Sequence, residues 1–146
     1  QLLGSLGAAA EGKEIERTLD QSSDPIEELQ LEYTILFINW FPHVVAPPYA
    51  SVYMDQYIQG GFALQTLNFY RAKGFLMEES ADLPDSLIHE LEFLSLLAEE
   101  ADFEGEEELL SKLFRPWYKQ FCPLVAQETR HPYYRMVVTL LDSFTK

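Results

Sequence analysis

Cysteine is nearly absent from this chain, because Cys122 is the only one among 146 residues. A lone cysteine excludes an intramolecular disulfide and a zinc site built from cysteines, and it fits a reducing compartment such as the cytoplasm. Cys122 lies in a helical pattern between Phe121 and Pro123. This position is typical of a structural cysteine and argues against a catalytic thiol.

Basic residues are also scarce: ten Lys and Arg stand against 24 Asp and Glu, which gives a formal net charge of −14. Proteins that bind nucleic acids carry the opposite charge, so the composition argues against a nucleic-acid partner. The acidity serves solubility, or it attracts a cationic partner, because a negative field speeds encounters with cations.

Long apolar runs are missing as well. No segment reaches the ~18 uncharged apolar residues that a membrane-spanning helix needs, so we predict no stable membrane insertion. The first residues lack the basic start of a signal peptide. Because the sequence does not begin with Met, we expect further residues upstream of Gln1.

Apolar residues recur at helical spacing along the whole chain, without the sustained alternation that is typical of strands. With 47% apolar residues and 14% aromatic residues, the chain can form a packed core. We therefore predict a single all-α domain over residues 1–146, a bundle of about six helices with one long Pro/Tyr-rich loop. The predicted helices are 11–19, 25–41 with Asp24 as its N-cap, 62–73, 82–98, 106–128 and one that begins at Pro132.

The segment 82–98 has the strongest helical pattern, with Asp82 as its candidate N-cap. Two apolar stripes leave it apolar on most sides, which predicts a central helix that is buried on more than one side. Its polar side chains are therefore candidates for function. They are Asp85, Ser86, His89, Glu90 and Glu92.

Residues 42–59 interrupt the helical pattern with three prolines and three tyrosines. A long aromatic loop in a compact helical domain is usually functional. Further along, seven acidic residues in 99–108 surround Gly105, which predicts a turn between two helices. Pro116 and Pro123 are expected to kink or divide the helix that follows.

No catalytic motif is complete in this sequence. His89-Glu90 resembles the start of a zinc-binding helix, but position 93 is Phe, so the second histidine is missing. No phosphate-binding glycine loop or nucleophile elbow is present, and we predict neither a metal nor a cofactor. Two alternatives stay open: a small helical metal-dependent hydrolase that uses His89, Glu90 and Glu92, or a structural subunit of an acidic complex.

The remaining signals are the aromatic loop, the polar edge of the helix 82–98 and the negative charge. Together they predict a groove for a peptide with apolar and cationic side chains. Aromatic rings supply contact area, and carboxylates select arginine through paired hydrogen bonds.

Several motifs in one order resemble a known family. They are Leu36-Phe37, the loop motif APPYASVY at 46–53, LPD at 83–85, ELEF at 90–93, and Trp117 with Phe121. Over residues 28–146 the chain is similar to the TorD/DmsD/NarJ family of redox-enzyme maturation chaperones. The family's first helix is expected to be shortened or missing here.

The resemblance implies an all-helical, cytoplasmic protein that is not an enzyme. It implies binding of the twin-arginine leader and the apo form of a molybdopterin-dependent oxidoreductase subunit, with cofactor insertion and proofreading before export. Many members have Asp-His where this chain has Asp85-Ser86. The leader-binding residues that the resemblance implies are Trp40, Phe41, Tyr49, Ser51, Tyr53 and Asp85. To these we add Ser86 and Glu90 on the polar edge of the helix 82–98, and we expect Glu90 and Glu92 to contribute to a negative surface.

Overall fold

The computed structural model describes residues 9–39, 43–78 and 82–146. These residues form helices α1 Ala9–Gln21, α2 Pro25–Tyr33, α3 Ala50–Met54, α4 Gly61–Ala72, α5 Leu87–Glu99, α6 Phe103–Glu108, α7 Arg115–Glu128 and α8 Pro132–Phe144. The π-helical segment Thr34–Ile38 follows α2, and a second one, Leu109–Phe114, joins α6 to α7. The predicted all-α fold is confirmed. In the described part of the chain, no helix is long and apolar enough to cross a membrane.

The chain divides into two compact units. The first unit contains the residues up to Pro47 and those from Cys122 onward, and the second is Pro48–Phe121. The division falls within α7. The single domain expected over residues 1–146 stays a prediction.

In the first unit, a buried carboxylate organises the turn between α7 and α8. Glu32, on α2, accepts a hydrogen bond from the Thr129 hydroxyl at 2.7 Å and others from the backbone nitrogens of Arg130 and His131. His131 caps α8, where its Nδ1 accepts from the Tyr133 nitrogen at 3.2 Å. A buried carboxylate is stable only when such donors satisfy it, so Glu32 fixes this turn.

The core of the second unit is aromatic. Phe114, Trp117, Tyr118 and Phe121 are all at most 2% exposed, and their spacing places them on one helical face. The ring of Phe114 stacks on that of Tyr118 with centroids 4.7 Å apart. Helix α5 packs against α6 and the π-helical segment that follows it. This core holds α5 in place.

Helix α5 differs from its prediction in two respects. It begins at Leu87, and its N-cap is Ser86 rather than Asp82, because the Ser86 hydroxyl accepts from the His89 nitrogen at 3.3 Å. The prediction that this helix is buried on more than one side is also wrong. One face is buried, with Glu90 at its start, while Ile88 is 61% exposed.

Three further local predictions need correction. Gly105 lies inside α6 rather than in a turn, and the turn before α6 is made by Ala101, whose φ is +54°. The chain stays helical through Pro116 and Pro123, so the prolines do not divide the helix, and the kink stays a prediction. The loop 42–59 contains a short helix, α3, because Asp85 satisfies the first turn of that helix.

Candidate functional site

The aromatic loop and the segment before α5 are joined by backbone pairing. The Ala50 nitrogen donates to the Asp85 carbonyl at 2.9 Å, and the Leu87 nitrogen donates to the Pro48 carbonyl at 2.9 Å. Between these bonds, Tyr49 and Ser86 form an isolated antiparallel bridge. We call this arrangement of residues 48–51 and 82–87 the loop–helix junction. It brings two of the motifs that carry the family resemblance, APPYASVY and LPD, into direct contact.

The carboxylate of Asp85 completes the junction. Its Oδ2 accepts a hydrogen bond from the Ser51 nitrogen at 2.7 Å, and the side chain is completely buried. Tyr49, the N-cap of α3, makes no side-chain hydrogen bond that caps this helix. Asp85 therefore caps a helix that lies 34 residues earlier in the sequence. Its other oxygen, Oδ1, has no partner among the described residues.

Side chains on both sides fix the LPD segment. The Tyr49 hydroxyl donates to Asp82 Oδ2 at 3.0 Å, and the Tyr70 hydroxyl donates to the Pro84 carbonyl at 2.9 Å. Nδ1 of His89 lies 2.8 Å from the Leu83 carbonyl. Because a carbonyl oxygen only accepts, Nδ1 carries the hydrogen. The structure thus gives His89 a positioning role.

Glu90 is a carboxyl group in the middle of the aromatic core. It is completely buried, and its Oε2 accepts from Trp117 Nε1 at 2.9 Å. Burial raises the pKa of Glu90 well above its ordinary value; the Trp117 hydrogen bond lowers the pKa, and the charge of Asp85 raises it further. The raised pKa favours the neutral acid, which can hydrogen-bond without the cost of a buried charge.

Tyr53 covers the same core from the loop side. Its ring stacks on Trp117 with centroids 5.7 Å apart and meets Phe121 edge to face at 6.1 Å. Its hydroxyl is buried without a partner in the described part of the chain, and burial raises its pKa. The loop, α5 and α7 therefore share one aromatic and polar cluster.

The structure places the predicted site residues unevenly. Tyr49, Ser51, Asp85 and Ser86 meet in the junction, but all except the half-buried Tyr49 are buried. The prediction that Glu90 contributes to a negative surface is wrong, since Trp117 and the core enclose it. Tyr53 is half-buried. The predictions for Trp40 and Phe41 fall outside the described residues.

The described residues do not form the site expected for a hydrolase that uses His89, Glu90 and Glu92. Glu90 points into the core and bonds Trp117, whereas Glu92 is exposed, so the two carboxylates do not converge. Nδ1 of His89 is engaged by a backbone carbonyl. In the ranges that the structure describes, no three His, Cys, Asp or Glu side chains form a metal-binding group.

Sequence reasoning missed the contact between Glu90 and Trp117. A signal was present, because Glu90 shares the spacing of Phe93 and Leu97, which form the buried stripe of α5. An acidic residue in a core stripe indicates a buried donor on a facing helix. The contact between Tyr49 and Asp82 had no comparable sequence signal.

Comparisons with known proteins agree with the family resemblance and with the fold. The sequence model of the nitrate reductase delta subunit family matches residues 5–123. A crystal structure from Archaeoglobus fulgidus, provisionally described as a redox enzyme maturation protein, is 32% identical in sequence. The match covers 97% of this chain and 81% of that one, with a TM-score of 0.66. No curated protein matches the sequence.

The all-α fold and the joined motifs define a redox-enzyme maturation chaperone, a class that generally acts by binding rather than by catalysis. The chain belongs to the nitrate reductase delta subunit family, so the resemblance to TorD/DmsD/NarJ proteins is confirmed.

Proposed function

We propose that this chain is a cytoplasmic chaperone for a molybdopterin-dependent oxidoreductase subunit that carries a twin-arginine leader. It binds the leader and the apo subunit, aids cofactor insertion and delays export until insertion is complete. The observation that carries the proposal is the loop–helix junction, where Asp85 joins the two family motifs through Ala50 and Ser51. Membership of the family supports the type of client.

The buried members of the junction shape the binding surface and do not touch the leader. Ser51 and Asp85 in the junction, and Glu90 on α5, have no exposed surface, so a peptide cannot reach them while the loop is in place. The half-buried Tyr49 and Tyr53 offer ring surface to a peptide, and Trp40 and Phe41 remain proposed as further contacts. Tyrosine rings give large contact areas at a small entropic cost.

The charge of the chain supports a cationic leader. A net charge of −14 attracts a peptide with two arginines and speeds its association. Arginine also forms paired hydrogen bonds with carboxylates, which lysine cannot form. We therefore expect discrimination between these two residues as well as a dependence on salt.

Isothermal titration calorimetry with a synthetic twin-arginine leader peptide tests the proposal. We expect binding in the micromolar range, weaker binding of the matched Lys-Lys peptide, and a loss of affinity as salt is added. Equal affinity for both peptides, or no heat of binding at tens of micromolar, would count decisively against a leader-binding chaperone.

A further inference from the structure

A groove of about 310 Å³ lies beside α5, within the second unit. We call it the acidic groove. Its volume is at the lower end of the range for ligand pockets, roughly 300–1,000 Å³. The lining residues that matter here are Leu76, Met77, Glu78, His89, Glu92 and Leu96.

The polar groups of the acidic groove all suit a cation. Glu78 and Glu92 are exposed carboxylates, and none of the described lining residues is Lys or Arg. Nδ1 of His89 donates to the Leu83 carbonyl, which leaves Nε2 as the ring nitrogen that can accept a hydrogen bond. Two carboxylates and one imidazole acceptor match the several N–H donors of a guanidinium group.

The rest of the groove is apolar and uncovered. Leu76 is 86% exposed and Leu96 is 39% exposed, although both are large apolar residues. Below them, Phe93 is buried and meets Phe75 edge to face with centroids 4.9 Å apart. An exposed apolar patch beside carboxylates is typical of a protein-interaction site.

We propose that the acidic groove binds an arginine side chain of the leader together with an apolar residue next to it. This inference rests on the proposed function and gives the leader a binding surface distinct from the loop–helix junction. The junction's own carboxylates are already engaged: Asp85 is buried and bonded to Ser51, and Asp82 accepts from the Tyr49 hydroxyl and the Leu83 nitrogen. The carboxylates of Glu78 and Glu92 are exposed, so charge complementarity favours the groove.

Calorimetry with the Arg-Arg leader peptide tests this assignment in matched variants. The double variant Glu78→Gln/Glu92→Gln removes both groove carboxylates. The control Glu99→Gln/Glu100→Gln makes the same change in net charge at exposed positions at the end of α5, outside the groove. We expect Kd to rise about tenfold or more in the groove variant, because two charge-assisted contacts are lost, and to change less than about twofold in the control, where only long-range attraction is reduced.

A second pair separates apolar contact from charge. Leu76→Ser, in the groove, should weaken binding severalfold, whereas Leu64→Ser on α4, 55% exposed in the wild type, should not. Thermal melts should be unchanged in all four variants, since every substituted side chain is exposed. If the groove and control variants raise Kd equally while the wild type binds the leader, the assignment of the groove is wrong and the proposed chaperone function stands. Absence of wild-type binding would overturn the proposed function and the groove with it.

Discussion

The carboxylate of Asp85 accepts a hydrogen bond from the backbone nitrogen of Ser51 at 2.7 Å, and both residues are completely buried. This bond makes two short motifs, 34 residues apart in sequence, into one structural feature. It also gives a physical reason for the aspartate in LPD: a carboxylate at this position caps α3 from outside the helix.

Asp85→Ala should lower the free energy of unfolding by about 2–3 kcal/mol, because it removes a charged acceptor and leaves the Ser51 nitrogen unsatisfied. Asp82→Ala is the control. Asp82 is exposed and accepts from the Tyr49 hydroxyl and the Leu83 nitrogen, so its loss should cost less than about 1 kcal/mol. Urea denaturation of both variants measures the difference, and similar small losses would show that the junction does not depend on Asp85.

Glu90 should make stability depend on pH. Its pKa in the folded protein is raised above the ordinary 4.5, so between these two values the folded state holds more protons than the unfolded state. The contribution of Glu90 to the free energy of unfolding should therefore be greatest below about pH 4.5. It should fall as pH rises towards the folded pKa, by up to about 1.4 kcal/mol per pH unit.

Glu90→Gln tests this pH dependence, because the amide is neutral and its oxygen can still accept from Trp117. The variant should be more stable than the wild type at pH 8 and should lose less stability between pH 5.5 and 8. Glu92→Gln, at an exposed position on the same helix, changes the net charge equally and is the control. If wild type and both variants lose the same free energy of unfolding between the two pH values, the raised pKa of Glu90 is contradicted.

Gly60 is required for space rather than for conformational freedom. A Cβ atom there would lie 2.1 Å from Asp55 Oδ2, and that oxygen accepts from the Phe62 nitrogen at the start of α4. Gly60→Ala should cost about 1–3 kcal/mol by overpacking and by loss of this bond. Gly61→Ala is the adjacent control, since its Cβ meets nothing within 4 Å. A melting temperature equal in the two variants would contradict the steric argument.

Ala101 has a left-handed conformation, with φ of +54°, at the end of α5. The Asp102 nitrogen donates back to the Leu97 carbonyl at 2.9 Å, as in helix endings that usually use glycine. Ala101→Gly should therefore raise the free energy of unfolding by about 0.5–1 kcal/mol. Ala98→Gly, inside α5, should lower it by a similar amount. Thermal melts of both variants measure these changes. A lower melting temperature for Ala101→Gly would contradict the left-handed conformation of Ala101.

The helices of this chain are local features, and the sequence predicts most of them. Asp24 caps α2 as expected, with its Oδ1 accepting from the Glu27 nitrogen at 3.0 Å, and Pro132 begins α8. The start of α5 departs from the prediction because Asp82, a good cap by type, bonds Tyr49 instead. Caps compete for partners from distant segments, and a local pattern contains no information about them.

The family and its motifs also follow from the sequence, since residue type and order alone carry the resemblance. Only the tertiary structure shows that Ser51, Asp85 and Glu90 are interior, because acidic and hydroxyl side chains normally favour water. Their burial depends on donors that arrive from other segments: a backbone nitrogen for Asp85 and an indole for Glu90. The sequence therefore determined the helices and the class of protein, while the fold decided which polar residues are structural and which face a partner.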